Sequence, residues 1–241
     1  MRVLVLGHRG MLGHLVERRL LELGCETESI SFRWPTDEFK DVISNSRAQF
    51  CVNAIGRIPQ KTQDFVANSE LPLWLDSNFP GIGIIHPSSD CEWDDSEYGR
   101  SKKAASDWID SHAEKTKRVL TSIVGFELEG SSSLLGWFLS NPKGLSVSGY
   151  TNHYWNGVTT LAWANYAFGL MENWSEAPNV SALCSSSCVS KFELLRYFND
   201  VFGAGLNVQP VAHAESANKC LSNGLDLGPI EDMLVEMKNW Y

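Results

Sequence analysis

The chain has 241 residues, 43% of them hydrophobic and 20% charged, with a net charge of −9. This composition is ordinary for a water-soluble protein and is long enough for one large domain, or for a nucleotide-binding domain with a small second lobe. The acidic balance speaks against a broad nucleic-acid surface, which needs clustered Lys and Arg, but leaves room for a local anion pocket.

Residues 2–6, "RVLVL", form a short apolar run that ends at glycine and predicts a buried parallel strand. "GHRGMLGHLVERRLLELG" follows, with Leu12, Leu15, Val16, Leu20 and Leu23 at helical spacing and Gly24 as C-cap. A second strand is expected at 26–32, then strands at 49–56 and 81–89, with helical patterns between them at 38–48 and 62–78. A helix follows Tyr98, and "KRVLTSIVGF" (117–126) reads as another strand. Strands alternating with helices predict an α/β domain with a doubly wound, Rossmann-like parallel sheet over residues 1–127. From 128 to 241 the chain is richer in Gly, Ser and aromatics, with helices at "VTTLAWANYAFGLMENW" and "VSKFELLRYFNDVFG". This half is expected to form mainly a small substrate-binding lobe. Trp137, Trp163, Trp174, Phe192 and Phe198 are expected in the core.

No apolar run approaches the roughly 20 residues of a membrane span. The start "MRVLVLGHRG" is too short for a signal-peptide core and has no cleavage site, so a cytoplasmic setting is expected. The six cysteines (25, 51, 91, 184, 188 and 220) show no paired metal spacing. Cys184 and Cys188 form C-x-x-x-C with no second pair or nearby His, so no metal site is expected and reduced thiols are.

Gly7, Gly10 and Gly13 give G-x-x-G-x-x-G between a strand and a helix. A tight turn wants φ > 0, backbone must approach a pyrophosphate, and free N–H groups at the helix start then face the phosphates. The turn residues Gly7, His8, Arg9, Gly10, Met11, Leu12 and Gly13 are therefore candidates for dinucleotide binding. NAD-preferring sites place an acid after the second strand. Here "SISFRWP" carries Arg33 instead, and Arg9 lies within the turn, so NADPH is favoured over NADH.

"YGRSK" (98–102) places Tyr98 and Lys102 one helical turn apart on one face. An ammonium there favours the phenolate and pulls the phenol pKa down from about 10. The plainer alternative is the polar first turn of a surface helix.

Together, "GHRGMLG" (7–13), "VNAIG" (52–56), "HPSSD" (86–90) and "YGRSK" resemble the extended short-chain dehydrogenase/reductases, and among them the dTDP-4-dehydrorhamnose reductase family. "TSIVGFE" (121–127), "YWNGVTTLAWA" (154–164) and "VSKFELL" (189–195) fit as well, so the likeness runs from residue 2 to about 200. "GHRGML" is also similar to the glycine turn of GDP-fucose synthase. The resemblance implies NADPH-dependent reduction of a nucleotide-linked 4-keto-6-deoxy sugar, with homodimerisation common in the superfamily. It implies a catalytic set of Ser89, Tyr98 and Lys102. Tyr98 donates a proton to the developing alkoxide, Lys102 tunes the phenol and binds ribose hydroxyls, and Ser89 holds the carbonyl oxygen. Asn53, Ala54, Ile55 and Gly56 would line the cofactor, and Asn68 resembles a helix Asn near such active sites.

Two features depart from the family pattern. Ser89 and Tyr98 lie nine positions apart, where the family usually has a much longer loop over the active site. Cys91 resembles the Ser-x-Cys of GDP-fucose synthase, which implies either epimerisation chemistry, with His153 as a distant acid partner, or a structural thiol. Asp90 either orients substrate or caps a turn. Asn152, His153, Tyr154 and Trp155 form an aromatic and amide cluster that either contacts a sugar or base or is a packed loop with Trp155 as core filler. Three functions follow: the reductase, an epimerase or epimerase-reductase, and a non-catalytic nucleotide-binding regulatory subunit, since the regulatory subunit of methionine adenosyltransferase resembles the same branch.

Overall fold

Val3, Leu4, Val5 and Leu6 are all buried, and a strand buried on both faces belongs in the middle of a parallel sheet. The computed structural model describes residues 1–241 and builds that sheet. The chain runs β1 (Arg2–Leu6), α1 (Gly13–Glu22), β2 (Glu26–Ser29), α2 (Asp37–Ser44), β3 (Phe50–Asn53), α3 (Val66–Asn78) and β4 (Gly83–Ser88). A short 3-10 helix (Asp90–Trp93) leads into α4 (Glu97–His112) and β5 (Thr116–Leu120). Then come β6 (Ile123–Val124), α5 (Leu134–Leu139), β7 (Ser146–Tyr150), β8 (His153–Trp155), β9 (Val158–Thr159) and α6 (Thr160–Glu172). The last elements are β10 (Val180–Cys184), β11 (Val189–Ser190), α7 (Lys191–Phe202), β12 (Asn207–Val211), β13 (Ala217–Asn218), β14 (Leu225–Asp226) and α8 (Ile230–Trp240).

The seven-stranded sheet has the order β14-β10-β5-β4-β3-β1-β2. β2 and β3 pair in parallel on opposite sides of β1, so the chain reverses direction across the sheet between them. Such a reversal opens a crevice beyond the carboxyl ends of β1 and β3, the usual ligand position in an open α/β sheet. β2 is an edge strand and carries Glu26 and Glu28, both ion-paired with Arg2, which discourages further pairing at that edge.

The chain forms two compact units, residues 1–120 with 164–181, and residues 121–163 with 182–241. The sequence places an approximate boundary near 127 and allows the chain to cross between lobes; here residues 164–181 belong with the first unit. In that unit Leu4, Leu6, Phe39, Ile43, Leu71, Leu75, Phe79 and Ile84 form a buried cluster, with Trp34 and Trp74 packed at its edge. Thr36 caps α2 by accepting from Phe39 N, and Ser96 caps α4 by accepting from Gly99 N. Trp174 stacks near Phe50, with ring centroids 5.2 Å apart, and lies under the Lys117 ammonium at 4.8 Å.

The second unit pairs β7 with β12, β6 with β9, and β8 with both β11 and β13. Phe138, Phe198, Leu194, Leu195, Leu234 and Met237 are buried there. α7 begins with a full capping box between Ser190 and Glu193 and ends at Gly203 in the left-handed conformation. The expected strand at 117–126 is two strands, β5 and β6, because Thr121 and Ser122 break the run. Trp163 and Phe198 are fully buried as expected, but Trp137 is 40% exposed. The reduced-thiol expectation is also corrected. Cys188 and Cys220 form a disulfide that joins the segments flanking β11 and β13, on either side of β8. Their separation in sequence is 32 residues, which hides the pairing from spacing rules. No helix is long and apolar enough to cross a membrane.

Candidate active site

The glycine turn joins β1 to α1. Gly7 has φ +78°, and a Cβ there would stand 2.7 Å from the Ala54 carbonyl oxygen. A Cβ on Gly13 would stand 2.2 Å from the Gly7 carbonyl oxygen, so only glycine lets the start of α1 lie on the turn. Gly10 N donates to Gly7 O at 2.8 Å and closes the loop. α1 has no side-chain cap and no acid in its first turn. Its N-terminal dipole and free N–H groups therefore remain available to an anion.

A cavity of about 330 Å³ opens beside this turn. Of the expected residues, Gly7, His8, Arg9, Gly10, Arg33, Ala54, Ile55 and Gly56 line it. Met11, Leu12, Gly13 and Asn53 do not. Leu12 and Gly13 are buried at the helix start, and Asn53 is buried, with Nδ2 3.3 Å from His86 Nδ1 and Oδ1 accepting from Ile55 N. Asn53 thus shapes the turn after β3 rather than facing the cavity. Arg57, Trp34 and Phe32 line the cavity too and were not expected from sequence. The signal for Arg57 was a third basic residue at the end of an apolar strand. Asn68 clamps that position, accepting from Arg57 N at 2.8 Å and donating to Arg57 O at 2.9 Å. No carboxylate pairs with Arg9, Arg33 or Arg57, so three guanidinium groups face one hollow uncompensated.

These features fit a dinucleotide: glycines where a Cβ would fill the cradle, an uncapped helix N-terminus, and cations for phosphate. No acid stands near the end of β2 inside the cavity.

α4 brings Tyr98 and Lys102 onto one face. Lys102 is buried, and its Nζ lies 3.8 Å from where a Cβ on Gly56 would stand, so the ammonium reaches the cavity rim. Burial lowers the Lys102 pKa from 10.5 to about 8, while nearby Cys91 and Glu92 push it back up. Tyr98 meets Phe65 edge to face at 5.6 Å. Its phenol behaves opposite to expectation. Burial, then the Cys91 and Asp90 charges, hold its pKa well above the ordinary value, and no lowering by Lys102 offsets them. The one-turn spacing was legible in the sequence, but the acidic groups brought in by the 89–96 connection were not weighed.

Ser89 caps the 3-10 helix. Its Oγ donates to Asp90 Oδ1 at 3.0 Å and accepts from Cys91 N at 3.2 Å. Asp90 is buried and Cys91 half-buried. The short connection closes by folding inward. Glu92 is buried under it, and a Cβ on Gly99 would touch the Asp94 carbonyl oxygen at 2.3 Å.

In the second unit the expected contact cluster is mostly used internally. Asn152 donates to His213 O and accepts from His213 N, and His153 Nε2 lies 2.9 Å from Glu215 O. His153, Tyr150 and His213 pack their rings together. Trp155 is buried and Tyr154 is 42% exposed.

No protein-family model matches the chain, and no curated protein matches it in sequence. Solved structures do. A dTDP-4-dehydrorhamnose reductase from Bacillus anthracis, in complex with NADP, superposes with a TM-score of 0.74 at 14% identity, covering 99% of each chain. A UDP-N-acetylglucosamine 4-epimerase from Bacillus cereus gives 0.73 at 15% identity, covering 100% of this chain and 96% of its own. A hypothetical dTDP-4-dehydrorhamnose reductase from Sulfolobus tokodaii gives 0.67 at 18% identity, covering 98% and 94%. The chain has the Rossmann-like α/β fold that these sugar-nucleotide proteins share.

Proposed function

We propose that the protein is an NADPH-dependent oxidoreductase that reduces the keto group of a nucleotide-linked 4-keto-6-deoxy sugar. The observation that carries this reading is the Tyr98–Lys102 face of α4, whose ammonium reaches the rim of a cavity lined by unpaired arginines. The glycine turn and the α1 N-terminus would hold the pyrophosphate, and Arg9, Arg33 and Arg57 the remaining phosphate charge. A nicotinamide cofactor held there would supply the hydride for reduction of the carbonyl carbon. Tyr98 gives its phenolic proton to the oxygen as negative charge grows on it. The raised pKa makes the phenol a weaker acid than a free tyrosine, so the transfer depends on the strongly basic alkoxide that forms and on nearby positive charge to hold the phenolate. The Lys102 ammonium, protonated over most of the physiological range, stabilises the phenolate left behind. Ser89 can turn its hydroxyl from Asp90 to the substrate oxygen.

NADPH oxidation against a panel of nucleotide-linked 4-keto-6-deoxy sugars tests this, with Tyr98→Phe beside it. Turnover in the native protein and a loss of about 10³-fold in the variant, at unchanged NADPH affinity, are expected. One observation favours a second reading, a nucleotide-binding regulatory subunit: the Ser89 hydroxyl is already committed to Asp90 and Cys91. Tight NADPH binding with no turnover on any sugar would select that reading.

A further inference from the structure

The inward-folded connection between β4 and α4 is built around one carboxylate. Glu92 Oε2 accepts from Ser88 Oγ at 2.7 Å and from Ser106 Oγ at 2.6 Å. Each hydroxyl has one proton, and both are given to Glu92, so the 2.9 Å approach of the two serine oxygens is a packing contact. On the other side, Glu92 Oε1 faces Arg118 Nη1 at 3.6 Å, while Asp110 takes the rest of that guanidinium through Oδ1 at 2.9 Å and Oδ2 at 2.5 Å. Ser88 precedes Ser89 at the end of β4. Ser106 lies one helical turn beyond Lys102, on the same face of α4.

We propose that Glu92 is a positioning residue, which ties the Ser89 end of β4 to the Tyr98–Lys102 face of α4. Its catalytic meaning rests on the reductase reading. Glu92 and Asp110 share the Arg118 guanidinium, and Glu92 together with Cys91 also favours the charged form of Lys102. His86 from β4 adds no positive charge, because burial and the nearby Lys102 and Arg118 hold it neutral. The other titratable groups nearby are Cys91 on the 3-10 helix, the buried Asp90 next to it and Tyr98 one turn earlier on α4, and Gly56 of the β3–α3 connection lies against the ammonium.

The test is trace acetylation of the full chain at pH 7, with Lys102 separated from Lys103 by peptide fragmentation. Only the neutral amine reacts, so Glu92→Gln, which keeps the shape and removes the charge, should acetylate Lys102 about fivefold faster than the native protein. Glu92→Asp should stay near the native rate. A folded Glu92→Gln protein with an unchanged rate overturns the proposal. If Glu92→Gln does not fold, Ser106→Ala serves. It should speed Lys102 acetylation about twofold and speed amide exchange in residues 88–96, and no change in either overturns the brace. A wild-type protein without turnover on any sugar sinks the reductase reading but leaves the acetylation result standing. Where turnover exists, the alkaline limb of kcat/KM should move to lower pH in Glu92→Gln, a shift that a purely structural contact would not produce.

Discussion

The two units treat their polar side chains differently. Around the first unit's cavity, Arg9, Arg33 and Arg57 have no carboxylate partner, and the α1 N-terminus has no cap. Around β8 in the second unit, Asn152, His153 and Asn156 are all bonded to backbone of residues 213–221. Arg9 and Arg33 are exposed and Arg57 half-buried, so what sets them apart is not lost solvation but three like charges on one hollow with no carboxylate to offset them, an arrangement suited to an anion. Polar residues satisfied by their own chain are scaffolding. Both groups look alike in sequence, as short clusters of aromatic, basic and amide residues, and only the partners tell them apart.

Substitutions can break this contrast. The largest effect is expected from Gly13→Ala. Its Cβ would collide with the Gly7 carbonyl oxygen, costing about 3 kcal/mol in urea unfolding and abolishing NADPH binding together. Stability lost with binding intact would mean that the turn is not the phosphate cradle. Next, the Cys188→Ser/Cys220→Ser double variant should lose about 2 kcal/mol of stability. Because the staple lies in the second unit, NADPH affinity should not change. A coupled loss of affinity would erase the division between scaffold and site. Smallest, and sharpest, Arg33→Ala and Arg57→Ala should each weaken NADPH binding about tenfold while altering thermal stability little, with NADH binding less affected. Equal weakening of both cofactors would assign these guanidinium groups to the pyrophosphate and remove the argument for a 2′-phosphate.

The first unit was largely readable from the chain because its signals are local. "RVLVL" and "GHRGMLG" state a buried strand, a turn that only glycine can make, and a helix, all within neighbouring residues. Tyr98 and Lys102 were readable as a pair because helical spacing fixes their common face. What escaped was set by distant partners. The direction of the Tyr98 shift depends on Cys91 and Asp90 folding back beside it. Glu92 looked like one acid among several in "DCEWDDSE", and nothing in its neighbours says that Ser106 and Arg118 will meet it. The expected strand at 117–126 failed for a related reason, since the polar Thr121 and Ser122 mark a change of sheet after Leu120 that only the pairing of β6 with β9 reveals. α8, in the last forty residues, carries a buried stripe of Ile230, Met233, Leu234 and Met237 that was present in the sequence but had no motif to draw the eye.

The return of residues 164–181 to the first unit bears on the order in which the molecule can be made. A growing chain leaves the ribosome N-terminus first, at about 5–20 residues per second, and domains made of one continuous stretch can fold as they emerge. Here Phe50 and Lys117 wait for Trp174, which arrives only after much of the second unit has already been synthesised. The first unit therefore finishes late despite being encoded first, and the two units mature in an interleaved order during translation.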